Sequence, residues 1–163
     1  MESTSSTVTE FLRVDTHLAK FSQGCVVALT GLAFLLAQPV IVLIAAVLLS
    51  VSALVPAISP FRLLYRYVVI PLHLMRPRMV EDDPAPHRFA QGIGAAFLII
   101  ATLVLFLSKA TTLGWALDLI VFVLAAINLT IGFCAGCLVY YYLGRIGLLP
   151  RVRYNGSFHW RGV

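Results

Sequence analysis

Four long apolar stretches, separated by short polar segments, dominate the pattern of the chain. Their lengths approach the roughly 20 residues that a helix needs to cross about 30 Å of hydrocarbon, although the second stretch is a little short. A helix also satisfies its own backbone polar groups, as lipid requires. The pattern therefore predicts an all-α membrane protein with four transmembrane helices. These run from about Leu18 to Ala37, Val40 to Val55, Phe89 to Leu107 and Trp115 to Ile131.

Two further helices are predicted beside the apolar stretches. The segment Pro56–Pro60 ends the second stretch, and Ser59 followed by Pro60 is a typical helix start. Residues 60–72 carry arginines and tyrosines on one side and aliphatic residues on the other, which is typical of an interfacial helix along the membrane surface. The segment Gly132–Gly136 ends the fourth stretch, and we expect a short helix after Cys137.

The two halves of the chain resemble each other. Phe21-Ser22-Gln23-Gly24 opens the first apolar stretch, and Phe89-Ala90-Gln91-Gly92 opens the third. The break at residues 56–60 corresponds to the break at 132–136, with residues 61–65 opposite 137–141. We interpret the halves, about 14–76 and 82–148, as a parallel tandem repeat of a two-helix unit within one membrane domain. A flexible polar N-terminus (1–13) precedes this domain, and a basic, aromatic cytoplasmic tail (149–163) follows it.

Composition and the placement of charge predict the membrane topology. Apolar residues make up 60% of the chain and charged residues 12%, compared with about 25% charged residues in soluble domains. Of the 12 Lys and Arg residues, all but Lys109 lie in the N-terminal segment, the central loop or the tail. Because cytoplasmic segments are enriched in basic residues, we expect both termini and the central loop in the cytoplasm. Nucleic-acid binding is disfavoured, because no soluble domain is available to carry such a site.

The candidate chemistry is concentrated in the motif Gly132-Phe133-Cys134-Ala135-Gly136-Cys137. On the predicted topology Cys134, Cys137 and Cys25 share one depth near the reducing cytoplasm, where a permanent structural disulfide is not expected. If a helix restarts near Cys137, its N-terminus stabilises the thiolate of Cys134 and lowers the pKa of that thiol. This arrangement predicts a reactive dithiol pair.

Two other interpretations of the motif remain open. Gly132, Gly136 and the small cysteine side chains would also let helices pack closely. A metal site completed by Cys25, His17 or His87 is the third interpretation, but a lone Cys-x-x-Cys is weak evidence for it. We predict no metal and no cofactor.

Several polar residues lie within the apolar stretches. Gln23, Gln91 and Asn128 are expected either to join helices by hydrogen bonds or to line a small-substrate site. Gly24 and Gly92 accompany the two glutamines in the repeated motif. Asp118 is expected in the first turn of the fourth span, where the helix dipole favours a carboxylate. With no ionisable residue at the centre of a span, a proton relay or an ion-driven pump is disfavoured.

These motifs resemble a bacterial integral membrane family catalogued as a domain of unknown function. The resemblance covers about residues 12–143 and rests on three segments. In chain order these are Val14-Asp15 with Phe21-x-Gln23-Gly24, then Arg88–Gly94, and finally Gly132–Cys137. It implies a multi-pass membrane protein, often considered alongside rhodanese- and thioredoxin-like genes of sulfur metabolism, and it assigns no reaction. The longer aromatic and basic tail departs from the family.

The leading functional hypothesis is a membrane thiol protein, resembling a thiol-disulfide oxidoreductase. In it Cys134 reacts with a sulfur substrate, Cys137 resolves the product, and Cys25 is a candidate third thiol. A thioredoxin-like or rhodanese-like cytosolic protein would recycle the pair. The alternatives are a small transporter or channel subunit for a sulfur-containing anion, acting as a homo-oligomer, and a structural membrane anchor for a partner protein.

Overall fold

The computed structural model describes residues 13–55, 58–71, 79–81, 85–108 and 110–147. Six helices account for nearly all of them, which confirms the predicted helical fold. A short antiparallel pairing that the sequence did not predict joins β1 (Arg13–Asp15) to β2 (Met79–Glu81), with Val14 opposite Val80. The helices are α1 (Thr16–Leu36), α2 (Pro39–Leu54), α3 (Pro60–Leu64), α4 (Ala85–Leu107), α5 (Thr111–Ile131) and α6 (Ala135–Ile146).

Three helices are long and apolar enough to cross a membrane, so the chain is a membrane protein. They are α1 from His17 to Leu36, α4 and α5. The second apolar stretch forms α2, which has 16 residues and is shorter than these three helices. The predicted interfacial helix forms as α3 and continues as a π-helix over Tyr65–Val69. Residues 1–12, 56–57, 72–78, 82–84, 109 and 148–163 lie outside the described residues, and with them the predicted flexible N-terminus and cytoplasmic tail.

Short connections between consecutive helices determine where each helix ends and the next begins. α1 ends where Ala37 adopts a positive φ of 49°, and Gln38 then donates its backbone N–H to the carbonyl of Ala33. Pro39 starts α2, because a proline at the first helical position loses no hydrogen bond. α5 starts at Thr111 rather than at Trp115, so the fourth apolar helix is one turn longer than the pattern predicts.

Helices from the first half of the chain pack against helices from the second half. α2 packs against α4, and α1 packs against α5, while the hairpins α1–α2 and α4–α5 hold consecutive helices together. Val42, Ala45, Leu98 and Ala101 are fully buried where α2 meets α4. Many large apolar side chains point outwards, as a lipid-facing surface requires, including Leu35, Leu54 and Leu107.

Small residues permit the closest helix contacts. A Cβ added at Gly114 would lie 2.5 Å from Leu105, and one at Gly31 would lie 3.0 Å from the ring of Phe122. Glycine at such positions allows two backbones to approach and increases dispersion contact, which drives helix association in lipid. The α4–α5 and α1–α5 contacts therefore depend on these glycines.

The end of α5 turns the chain back towards α4. Gly132 has a left-handed φ of 76°, which glycine adopts without strain, and its N–H bonds to the carbonyl of Asn128. Three residues later α6 begins at Ala135, not after Cys137 as the sequence predicts. α6 packs against α4, where a Cβ on Gly136 would lie 2.5 Å from Cβ of Ala90. Gly136 was interpreted as part of a helix break, but the close contact with Ala90 places it inside the helix.

Candidate functional site

Cys134 is the residue that starts α6. Its backbone is extended, with φ −99° and ψ 101°, and its Sγ accepts the backbone N–H of Cys137 at 3.3 Å. Only 4% of the side chain is exposed. The first turn of a helix leaves its N–H groups without partners within the helix, and here the sulfur fills that role.

The surroundings of Cys134 favour the thiolate. A side-chain hydrogen bond from Cys137 is the largest influence and lowers the pKa of the Cys134 thiol. Burial acts in the opposite direction, and the backbone N–H groups of Cys137 and Gly136 add to the lowering. The net effect is a pKa below the usual value for cysteine. Because the thiolate is the nucleophilic form, the lowered pKa activates Cys134 as a nucleophile.

A cavity of about 110 Å³ opens beside Cys134 inside the helix bundle. Helices α1, α4 and α5 form most of its wall, and the start of α6 closes one end through Cys134, Ala135 and Gly136. Apolar side chains such as Val26, Phe97 and Val121 line much of it. A water molecule occupies about 30 Å³ of liquid. The cavity is therefore large enough for a ligand of a few heavy atoms.

Three amide side chains predicted from the sequence meet in this cavity. Gln23 comes from α1, Gln91 from α4 and Asn128 from α5, and Ser22 lines the wall beside Gln23. Asn128 is 7% exposed. Among the described residues, the amides form no side-chain hydrogen bond with one another or with Cys134. The three amides lie on the cavity wall, and their role in binding a ligand stays a prediction.

The other predicted residues occupy different environments. Cys25 is a half-buried free thiol on α1 and does not line the cavity, and the three described cysteines do not form a metal-binding cluster. A Cβ at Gly24 or Gly92 would meet no atom within 4 Å, so close packing does not explain these two motif glycines. Gly132 and Gly136 have structural roles, one as the cap of α5 and the other at the contact with Ala90.

Asp118 lies in an environment that the sequence analysis did not predict. Because α5 starts at Thr111, Asp118 is its eighth residue rather than a first-turn residue, and its side chain is fully buried. Neither carboxylate oxygen has a hydrogen-bond partner among the described residues. The helix midpoint is Val121, so Asp118 lies within one turn of it. The expectation that no span carries a central ionisable residue was therefore wrong. The single acidic residue within an apolar stretch was the sequence signal for this buried carboxylate.

Residues 14–145 match a family described as a domain of unknown function, DUF4395. The chain belongs to this family. That result confirms the resemblance inferred from the paired glutamine motifs and the closing cysteine motif. Among curated proteins and solved structures, none matches the chain.

The DUF4395 match contains the complete candidate site. Its range includes α1 to α5, almost all of α6, and the cavity side chains. Within the described part of the chain, no three His, Cys, Asp or Glu side chains lie close enough together to hold a metal ion. His17 and His87 therefore do not join the cysteines in a cluster. Among the residues that line the cavity, Cys134 supplies a thiol, and Gln23, Gln91 and Asn128 supply amides.

Proposed function

We propose that this DUF4395 protein is a membrane thiol protein in which Cys134 reacts with a small sulfur compound and Cys137 resolves the product. The observation that carries the proposal is the position of Cys134. Its sulfur caps a helix, accepts the N–H of Cys137 at 3.3 Å and borders a cavity lined by amides. A buried thiol on a packing surface alone would need neither the cap nor the cavity.

The reaction follows ordinary thiol–disulfide exchange. The Cys134 thiolate attacks one sulfur of a small disulfide, the bond between the substrate sulfurs breaks, and the first thiolate leaves with its electron pair and takes a proton from water. Cys137 then gives up its thiol proton and attacks Sγ of Cys134. This forms the Cys134–Cys137 disulfide and releases the second substrate thiolate. The substrate gains two electrons and the cysteine pair loses two.

The cavity favours a small substrate over a protein disulfide. About 110 Å³ holds a persulfide, a short disulfide or another reduced sulfur compound, and the amides of Gln23, Gln91 and Asn128 offer hydrogen-bond donors to it. The oxidised pair must then be reduced by a protein that reaches the end of the bundle. We propose a thioredoxin-like or rhodanese-like cytosolic partner, whose dithiol would supply the two electrons.

We further propose that α2 spans the membrane as a fourth helix and that the halves form a parallel repeat. The crossed packing of α1 on α5 and α2 on α4 supports the repeat. So do two matching ring pairs, Phe21 with Tyr65 at 5.7 Å and Phe89 with Tyr140 at 5.3 Å. In the alignment of the two halves, these contacts make Tyr65 equivalent to Tyr140, whereas the sequence comparison had aligned Tyr65 with Tyr141. By the same register Ser59, the residue that starts α3, corresponds to Cys134.

The charge distribution supports one orientation. With α2 as a span, both termini and the central loop lie on one side, and the positive-inside rule makes that side the cytoplasm of a bacterial inner-membrane protein. Cys134 and Cys137 then face the reducing compartment, where a thioredoxin-like partner operates. The membrane domain would comprise residues 14–148, between the N-terminus (1–13) and the cytoplasmic tail (149–163).

Redox titration of the full chain in nanodiscs tests the thiol reaction. We expect Cys134 and Cys137 to interconvert between dithiol and disulfide at a potential that a thioredoxin-like protein can reach, as followed by mass-tagging of free thiols. Cys134→Ser and Cys137→Ser should each abolish the two-electron transition, while Cys25→Ser should leave it unchanged. Absence of any reversible Cys134–Cys137 disulfide in the wild-type protein would contradict the proposal.

Transport of a small sulfur-containing anion is a second candidate, favoured by the amide-lined cavity inside the bundle. Amide N–H groups can bind an anion without a fixed positive charge. Uptake of radiolabelled thiosulfate and sulfite into proteoliposomes tests this candidate. Flux above that of empty vesicles, retained in Cys134→Ser, would favour transport over thiol chemistry, and flux equal to that of empty vesicles would remove it.

A further inference from the structure

Asp118 is a buried carboxylate in the middle of the membrane domain. Its side chain has no exposed surface, and neither oxygen has a hydrogen-bond partner among the described residues. It is also the only acidic residue of the chain outside residues 2–15 and 81–83. A carboxylate within a membrane bundle is expensive, and such residues usually mark a pathway for protons or ions.

Contacts on both sides of Asp118 fix its level in the bundle. On α1, Phe34 meets the ring of Trp115 at 6.0 Å, and Gly31 faces Phe122. On α4, the carbonyl of Ala101 approaches Gly114, one turn before Asp118. Asp118 therefore lies level with residues 31–34 of α1 and with the part of α4 just before Ala101.

No charged group of the described chain lies at this level. α5 itself has no other titratable residue, and the described titratable residues of α1 and α4 lie in the first half of each helix. Cys25 is the nearest of them along the chain, six residues before Gly31, which is about 9 Å along the helix axis. The described titratable residues of α1 and α4 are His17, Lys20, Cys25, His87 and Arg88.

The inner end of the cavity approaches Asp118. Val121 and Ala125 line the cavity and lie three and seven residues after Asp118, on the same side of α5. Three residues, about 4.5 Å along the helix axis, separate Asp118 from Val121. The cavity thus extends from Cys134, at the end of the bundle, towards the one carboxylate inside it.

We propose that Asp118 is a proton-binding site reached through this cavity, so that the proton on Asp118 and the occupant of the cavity influence each other. Protonation neutralises the Asp118 carboxylate, for which the described residues provide no hydrogen-bond partner. An anion in the cavity would be repelled by the ionised carboxylate one turn away and not by the neutral acid. Binding of an anion and binding of the proton are then mutually favourable, because such coupling is reciprocal. The proposal does not require the thiol reaction of Cys134.

Infrared difference spectroscopy of the full chain in nanodiscs tests for the proton site. We expect a carboxylic-acid C=O band that titrates with pH, shifts on ¹³C labelling of aspartate and disappears in Asp118→Asn. Asp118→Glu should restore a titrating band, and Asp15→Asn, which alters an aspartate before α1, should leave the band unchanged. A wild-type spectrum without such a band, or a band that survives in Asp118→Asn, would overturn the proposal.

The route to Asp118 needs its own measurement. Ala125→Leu adds bulk to the inner part of the cavity, whereas Ala126→Leu places the same bulk on a neighbouring residue that does not line it. We expect hydrogen–deuterium exchange of the Asp118 acid to slow at least tenfold in Ala125→Leu and to remain near wild type in Ala126→Leu. Equal exchange rates in the two variants would show that protons do not use the cavity. Both measurements can be repeated in Cys134→Ser, so that failure here is separable from failure of the thiol proposal.

Discussion

At the scale of single residues, Cys134 and Cys137 differ because only one of them is a helix cap. The sequence motif predicted this difference, since a cysteine before a helix start receives N–H groups that stabilise its thiolate. The position of the start was wrong, because Gly132 and Gly136 were both interpreted as helix breakers. Gly132 alone ends a helix, and Gly136 fits within one because Ala90 lies against it. A single sequence does not reveal which glycine has a neighbour.

The activation of Cys134 can be measured from its pH profile. The side-chain hydrogen bond from Cys137 is the largest cause of the lowered pKa. Cys137→Ala in a Cys25→Ala background should therefore raise the pKa of the Cys134 thiol, and the thiolate would persist only at higher pH. At neutral pH we expect iodoacetamide to react several-fold more slowly, since each unit of pKa changes the thiolate fraction about tenfold.

The matched control is Cys137→Ser in the same background. Its hydroxyl can still donate to the sulfur of Cys134, so the midpoint of the pH profile should move less than in Cys137→Ala. If both variants keep the wild-type profile, the side chain of Cys137 does not activate Cys134.

At the scale of helices, periodicity and length predicted the apolar elements well but not their ends. The start of α5 was misplaced because Thr111 and Thr112 were assigned to a polar turn, although they form its first residues. This error concealed the depth of Asp118. The short pairing of β1 with β2 was missed because three-residue strands have no periodicity to detect.

The contact between α6 and α4 should be sensitive to one methyl group. A Cβ at Gly136 would lie 2.5 Å from Cβ and 2.7 Å from Cα of Ala90, so α6 must shift. We expect Gly136→Ala to destabilise the protein by about 1–3 kcal/mol, as overpacking does, and to slow alkylation of Cys134 by displacing its cap. Thermal unfolding in detergent and alkylation rates measure the two effects.

Gly92→Ala is the control for this substitution. It adds the same methyl to an α4 position with no atom within 4 Å, so stability should stay equal or rise slightly from the better helix propensity of alanine. A Gly136→Ala variant as stable as Gly92→Ala would contradict the close contact.

The role of α2 as a span can be decided by labelling on both sides of it. Its 16 residues extend about 24 Å, a little less than the hydrocarbon core. In a cysteine-free variant, Gln38→Cys, before α2, should react with an impermeant maleimide in intact spheroplasts. Arg62→Cys, after α2, should react only once the cells are permeabilised. Both side chains are exposed, so accessibility within the protein does not limit either reaction, and labelling of both from the same side would show that α2 does not cross.

At the scale of the whole molecule, the repeated sequence motif and the cavity describe the same arrangement. Gln23 on α1 and Gln91 on α4 belong to the repeated Phe-x-Gln-Gly motif, and both line one cavity with Asn128 and Cys134. These residues were predicted as candidates from the sequence, but the sequence did not decide between joining helices and lining a site. The answer depends on which side chains of α1, α4 and α5 face each other. Periodicity predicts which residues share a face of one helix, but not which faces of different helices meet.

Buried polar groups in this bundle fall into two classes that stability measurements should separate. Ser52 is buried and bonds to Ser59 at 2.9 Å, and it also donates to the carbonyl of Leu48. Ser52→Ala should therefore lower the stability by about 1 kcal/mol, as the loss of a hydrogen bond does. Asn128 is buried without such a bond from its side chain, so its amide contributes to the cavity rather than to the fold.

Asn128→Leu, which has a similar volume, should accordingly leave the unfolding temperature unchanged or raise it, since proteins give up stability at sites kept for function. It should also weaken the reaction of Cys134 with small disulfides relative to its reaction with iodoacetamide, because only the former needs the cavity amides. Thermal unfolding and the ratio of the two rates test both expectations. An Asn128→Leu variant less stable than Ser52→Ala would identify the amide as a structural group. The cavity would then lose one of the three residues that make it a candidate site.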